Sequence, residues 1–160
     1  MIEQIMRQTY PDISAISPDD IEAIKLAINA QELTELALTL GNIPSASGQE
    51  LAAANFVHQW CLDQGFSARK VAMVPDRPNV VAEYGGEGIG PNILFNAHLD
   101  TESPLYDNVL DNDKFTQATL ERREWRQCWL EDGCFKGFAI TNDRGPMSCY
   151  LMAAKALRQA

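Results

Sequence analysis

Histidine is scarce in this chain: His58 and His98 are the two present. A centre built on several imidazoles therefore has little to draw on. The four cysteines, Cys61, Cys128, Cys134 and Cys149, include no Cys-x-x-Cys pair. That pattern argues against a zinc knuckle and against a disulfide framework, and it predicts reduced, buried thiols. Positive charge is in deficit, with 13 Lys and Arg against 22 Asp and Glu and a formal net charge of -9. Such a balance disfavours nucleic acid and anionic membrane as partners. No apolar run reaches the length of a membrane span. Residues 1–7 lack the basic stretch and apolar core of a signal peptide, so a cytoplasmic location is expected.

What is present is ordinary for a globular protein: 46% hydrophobic and 22% charged residues in 160. That length allows one domain with a sizeable core. Residues 1–16 suggest no role. Ser17-Pro18-Asp19-Asp20 reads as a helix start, with Ser17 as cap, Pro18 in first position and acids in the first turn. An apolar pattern from Ile21 through Ile24, Leu26, Ile28, Leu33, Leu36, Ala37 and Leu40 to Gly41 predicts two consecutive packing helices. Ser47 and Glu50 have the spacing of a capping box. They open a helix over 47–64 with Ala53, Phe56, Val57, Trp60 and Cys61 on one face and Gly65 as its stop. His58 lies at the margin of that face and reads as a partly buried residue rather than a ligand. Two strands, 66–74 and 79–84, flank a turn at 75–78. The glycine-rich run 85–91 precedes a strand and not a helix, so it reads as a turn and not as a phosphate loop.

The chain is organised around Asn92-Ile93-Leu94-Phe95-Asn96-Ala97-His98-Leu99-Asp100-Thr101. Ile93, Leu94 and Phe95 suit a strand buried on both faces. Alternation puts His98 and Asp100 on the same side of that strand's end, where α/β proteins place their chemistry. His98 offers a nitrogen to a metal, and Asp100 is placed to orient the ring. Taken alone, the tripeptide also fits a histidine bonded to a neighbouring aspartate. A long loop follows to about 130. Its charged cluster Glu121, Arg122, Arg123, Glu124 and Arg126 reads as solvated surface, and Trp125 and Trp129 read as its anchors on the sheet. The last helix, over 146–159, carries Met147, Tyr150, Leu151, Ala154 and Leu157 at helical spacing. Asn142 and Asp143 therefore sit just before a helix start. There a carboxylate is favoured by the helix dipole, as a metal donor or simply as a cap. The predicted fold is α/β, a layered sheet with strand 92–98 inside it and helices 47–64 and 146–159 packed on it.

The apolar strand ending in His98-Leu99-Asp100, followed by Asp132-Gly133-Cys134-Phe135-Lys136-Gly137-Phe138-Ala139-Ile140-Thr141-Asn142-Asp143-Arg144-Gly145, resembles the M20 zinc metallopeptidases and amidohydrolases. These include acetylornithine deacetylase, succinyl-diaminopimelate desuccinylase, aminoacylase and carboxypeptidase G. Their pattern is His-x-Asp and later Asp-Gly-x-x-Tyr-Gly-Arg-Gly-x-x-Asp-x-Lys-Gly. Asp132, Gly133, Gly137 and Gly145 match it. Arg144 stands for the usual lysine and Ala139 for a glycine. Asn142 falls on the aspartate that bridges two zinc ions.

The resemblance implies a hydrolase of amide bonds in N-acyl amino acids or small peptides. One or two zinc ions would supply the Lewis acid and activate water. His98 would be a metal ligand and Asp100 the catalytic position that orients it. Asn142, neutral and with one oxygen, or Asp143 in a shifted register, would supply the remaining oxygen. The family's Glu-Glu pair, a later acidic ligand and a C-terminal histidine fall beyond position 160. The resemblance therefore reads as the N-terminal half of a catalytic domain, expected to hold at most one zinc loosely. Such a half is expected to associate with itself or with a complementary C-terminal half. The alternative is a catalytically inactive fragment or a non-enzymatic α/β interaction module.

Overall fold

The computed structural model describes residues 17–85, 92–101 and 121–160. Residues 1–16, 86–91 and 102–120 lie outside the described residues, and with them most of the turn expected at 85–91 and of the loop expected before 130. The described architecture is mixed α/β, with four helices and two small antiparallel sheets.

Helix α1 (Pro18–Leu26) starts as the sequence predicts. Asp20 N donates to Ser17 Oγ at 3.1 Å, and Ser17 N donates to Asp20 Oδ2 at 2.9 Å. The reciprocal box satisfies two donors that a helix start otherwise leaves free. No residue of α1 is buried. Helix α2 (Ala30–Gly41) is capped by Asn29, whose Oδ1 accepts from Glu32 N at 3.0 Å, and it buries Leu36, Ala37 and Leu40. Helix α3 (Leu51–Asp63) buries Ala53, Ala54, Val57 and Cys61 and half-buries Phe56 and Trp60 against the same core. His58 is half-buried, at the margin.

The capping box expected at Ser47 and Glu50 does not form. Glu50 is itself the residue before the helix and makes no side-chain cap bond. Its carboxylate accepts instead from Gly48 N at 2.8 Å and from the Arg77 guanidinium, while Ser47 Oγ turns to Asp100. The Arg77 guanidinium brings a full positive charge and two donors, Nε and Nη2, to that carboxylate, where the box would bring a single backbone amide, so the box is the weaker option.

Gly65, at φ 79°, ends α3. Strands β1 (Ser67–Val71) and β2 (Asn79–Glu83) pair antiparallel, in register from Ser67 opposite Glu83 to Val71 opposite Asn79. Strands β3 (Trp129–Glu131) and β4 (Cys134–Lys136) form a second hairpin. Its two-residue turn is Asp132-Gly133, with φ 51° and 73°. Both values are positive, as a type I′ turn requires, which is why Asp-Gly suits it. Trp125 stacks on Phe138 with centroids 4.3 Å apart, and the Arg123 guanidinium lies 4.0 Å from the Trp129 ring centroid. The tryptophans thus fasten this region to the second hairpin and its surroundings, not to the β1–β2 sheet.

The buried central strand is not found. Residues 92–98 pair with no strand among the described residues. Ile93 and Leu94 are 68% and 89% exposed. The physical reason is a lack of partners: β1 and β2 bond each other, and an apolar strand without neighbours has no ladder and no second face to bury. Phe95 alone finds a ring, stacking on Tyr150 at 5.6 Å. From Ala97 onward the segment changes character. Ala97 and Leu99 pack on the main core of Leu36, Leu40, Val57, Cys61 and Met147. Each fully buried side chain of this kind contributes about 1.5–3 kcal/mol. A second cluster, Ala37, Cys128 and Ile140, lies beside it.

Helix α4 (Gly145–Gln159) packs on α2 and buries Met147, Ser148, Met152 and Ala156. The buried stripe is rotated from the expected one, since Tyr150 and Leu157 are exposed. The prediction of buried thiols holds for Cys61 and Cys128 and fails for Cys134 and Cys149, which face solvent. Burial pushes the Cys61 thiol up to about 11. No described helix is long and apolar enough to cross a membrane.

Candidate functional site

Because Ala97 and Leu99 face the core, alternation turns His98 and Asp100 to the open side, together, as the sequence predicts. His98 Nδ1 lies 2.6 Å from the backbone carbonyl oxygen of Asp100 and 3.3 Å from Asp100 Oδ1. A carbonyl oxygen only accepts, so Nδ1 carries the proton. The lone pair of the neutral ring is then on Nε2. The ring is therefore held mainly by the Asp100 main chain, and its carboxylate is the more distant partner.

The Asp100 carboxylate is itself positioned from α3's approach loop. Ser47 Oγ donates to Asp100 Oδ2 at 2.6 Å. That bond, with help from His98 and Arg77, holds the Asp100 carboxyl below its ordinary range against the opposing effect of burial. The loop is braced in turn. Burial opposes ionisation of Glu50, but the Arg77 fork at 2.8 and 3.2 Å and the Gly48 amide outweigh it, and the carboxyl stays below its usual range. Arg77 comes from the turn between β1 and β2, so the brace ties that hairpin to the start of α3.

Leu99, between the two polar residues, is held by its carbonyl. Ser45 Oγ donates to it at 2.5 Å, and Arg144 Nη2 donates to the same oxygen. Thr101 N then donates to Ser45 O at 2.8 Å. Arg144 is completely buried. Burial lowers its pKa to about 10, which still leaves it charged at neutral pH, and the charges of Asp100 and Asp143 oppose that lowering.

Asn142 and Asp143 lie in a wide turn at 140–144 that runs into α4. Their backbones leave helical geometry, at φ −137°, ψ 84° and φ −130°, ψ 20°, and the peptide bond between them is cis. Neither caps α4. Arg144 occupies the cap position, and no side-chain cap bond is made there. Both residues are half-buried. Among the described residues, no three or more His, Cys, Asp or Glu side chains gather as a metal site would require. Zinc takes three or four protein ligands. His98 fits one such donor, with Nδ1–H engaged and no bond to Nε2 among the described residues, which bring together only part of a donor set.

Sequence reasoning identified His98 and Asp100 as neighbours but missed Ser45, the Glu50–Arg77 brace and the burial of Arg144. The available signals were indirect. Two serines flank Ala46 in a loop, and an arginine stands in a stretch otherwise rich in glycine and apolar residues.

No protein-family model matches the chain. It is 24% identical over 161 residues to a probable carboxypeptidase of Trichophyton verrucosum, covering 91% of this chain and 33% of that protein. It is 26% identical over 132 residues to one of Talaromyces marneffei, covering 79% and 28%. A probable carboxypeptidase of Aspergillus clavatus is 32% identical over 97 residues, covering 60% and 21%. The chain thus spans a third or less of the length of the curated relatives it matches.

Proposed function

We propose that this chain carries part of the site of a zinc-dependent amide hydrolase of the M20 type, a peptidase or deacylase acting on small peptides or N-acyl amino acids. The observation that carries the reading is the fixed ring of His98, with Nδ1–H engaged by Asp100 and no bond to Nε2 among the described residues. The similarity to proteins named probable carboxypeptidases supports peptidase-like hydrolysis at the coarser level. When bound, zinc would polarise the substrate carbonyl and lower the pKa of water. The chain's own residues have separate tasks. His98 presents a nitrogen, Asp100 fixes its tautomer, Ser47 keeps Asp100 ionised, and Asn142 or Asp143 brings oxygen from the turn before α4. Further donors are required for a full site, from this chain or from a complementary one.

Calorimetric titration of zinc into the wild type and His98→Ala tests this. Weak single-site binding that vanishes in His98→Ala is expected. Equal heats from both proteins would sink the reading. The second reading, an α/β interaction module without catalysis, is favoured by one feature, the neutral Asn142. If Asn142→Asp adds no zinc affinity and a partner still binds after His98→Ala, that second reading gains.

A further inference from the structure

Arg144 is the largest fully buried side chain in the described structure, at 0% exposure. Among the described residues it forms no ion pair within bonding distance, and its Nε has no hydrogen-bond partner there. A buried guanidinium is costly unless something uses it. Its donations are few: Nη2 to the Leu99 carbonyl and Nη1, at 4.0 Å, to the Met147 sulfur. The carbonyl it holds lies between His98 and Asp100. Its own backbone oxygen accepts from Ser148 Oγ at 2.7 Å, which seats it on the first turn of α4. Arg144 thus links two pieces of chain far apart in sequence: the turn carrying Asn142 and Asp143, and the segment carrying His98 and Asp100.

We infer that Arg144 is the positioning residue of this site, fixing the His98–Asp100 segment to the Asn142–Asp143 turn through the Leu99 carbonyl. The inference rests on the reading of His98 as a metal donor for its functional meaning, and on the carbonyl contact alone for its structural one. Ser45 shares the same oxygen, and the Thr101 amide returns a bond to Ser45, so the joint is closed on both sides of Leu99. Lysine could make the same single donation with the same charge. Methionine and glutamine could not, the first lacking a donor and the second too short to reach.

Two measurements test this on the full chain. The first needs no metal: amide hydrogen exchange of Thr101, compared with amides inside α2. Arg144→Met is expected to speed Thr101 exchange selectively, and Arg144→Lys to leave it near the wild-type rate. Uniform acceleration across the fold, or no change at Thr101, would overturn the positioning role. Where Arg144→Met does not fold, Arg144→Gln takes its place with the same expectations. The second measurement is cobalt(II) binding, followed by the visible spectrum of the bound ion. Arg144→Met is expected to bind roughly 10- to 100-fold more weakly with an altered spectrum, and Arg144→Lys to stay within about threefold of the wild type. A folded Arg144→Met that binds cobalt like the wild type, or an Arg144→Lys as weak as Arg144→Met, overturns the inference. His98→Ala separates the two ideas. If it binds cobalt as the wild type does, the metal reading fails, while the exchange result still decides the role of Arg144.

Discussion

The two halves of the segment 92–101 lie on one stretch of backbone and behave differently. In the first half, Ile93 and Leu94 are exposed apolar residues with no ladder partner among the described residues. In the second half, four polar contacts converge on three residues: Ser45 and Arg144 on Leu99, Ser47 on Asp100 and Thr101 on Ser45. The apolar half is the one whose pattern announces a strand, and the polar half is the one that is fixed. Apolar patterning states that a segment gains from burial. It does not supply the neighbour that buries it. Hydrogen bonds are directional and short in range, so the polar half is set by partners already at hand.

The largest effect on this contrast comes from reversing the charge in the fixed half. Arg144→Glu places a carboxylate against the Leu99 carbonyl, where the charges of Asp100 and Asp143 already act. An uncompensated buried charge costs about 3–5 kcal/mol. Loss of a cooperative urea melt is expected. A melt within about 1 kcal/mol of the wild type would mean that the burial of Arg144 contributes little to the joint.

A smaller effect is expected at the turn that faces this half. Asn142→Asp restores a charge and a second oxygen at the position that the family resemblance gives to the bridging ligand. Zinc affinity should rise by about tenfold, or ~1.4 kcal/mol, and Asp143→Ala should change it little. Calorimetry on both variants decides the register. Binding lost in Asp143→Ala but unchanged in Asn142→Asp would move the oxygen donor one residue on.

Much of the secondary structure was legible in the sequence because it depends on neighbours in sequence. Ser17 and Asp20 cap α1, Gly65 stops α3, and Pro75 to Pro78 turn β1 into β2. The site was legible only in its local part. His98 and Asp100 are two residues apart, and strand alternation alone brings them together. Ser45, Ser47 and Arg144 reach them across separations of 53 or 54 residues for the serines and 45 for Arg144, and no periodicity encodes that. Glu50 departs from its sequence pattern for a related reason. Its spacing from Ser47 fits a capping box, and only the fold brings Arg77 close enough to compete. Helical spacing places Tyr150 with the core residues, yet it lies on the side of α4 that meets Phe95.

Acid should weaken the fixed half before it disturbs the packing of α2 and α3. Asp100 and Glu50 both ionise below their ordinary range in the fold. A carboxyl depressed in the folded state adds stability that is fully present above its unfolded value, about pH 4–4.5, and that is lost as pH falls through the lower folded value. Urea melts from pH 6 downward should show this decline, and Asp100→Asn and Glu50→Gln should flatten it. An acid limb of unchanged steepness in both variants would remove these two carboxyls from the account.

The smallest effect on stability is expected in the unpaired half, where it is also the most informative. Leu94 is 89% exposed and Ile93 68%, so Leu94→Glu removes almost no buried surface and should change stability by at most about 0.5 kcal/mol. Association should respond far more. An apolar segment with no ladder partner among the described residues offers a template for another strand, and a charge on it is the device by which natural edges are blunted. Sedimentation at low micromolar concentration should show the wild type self-associating and Leu94→Glu shifted toward monomer, with an unchanged melt. A wild type that sediments as a monomer at every concentration would show that 92–96 does not recruit a second copy. An equally associated Leu94→Glu would move the contact elsewhere, with the exposed Leu26 of α1 the next residue to test.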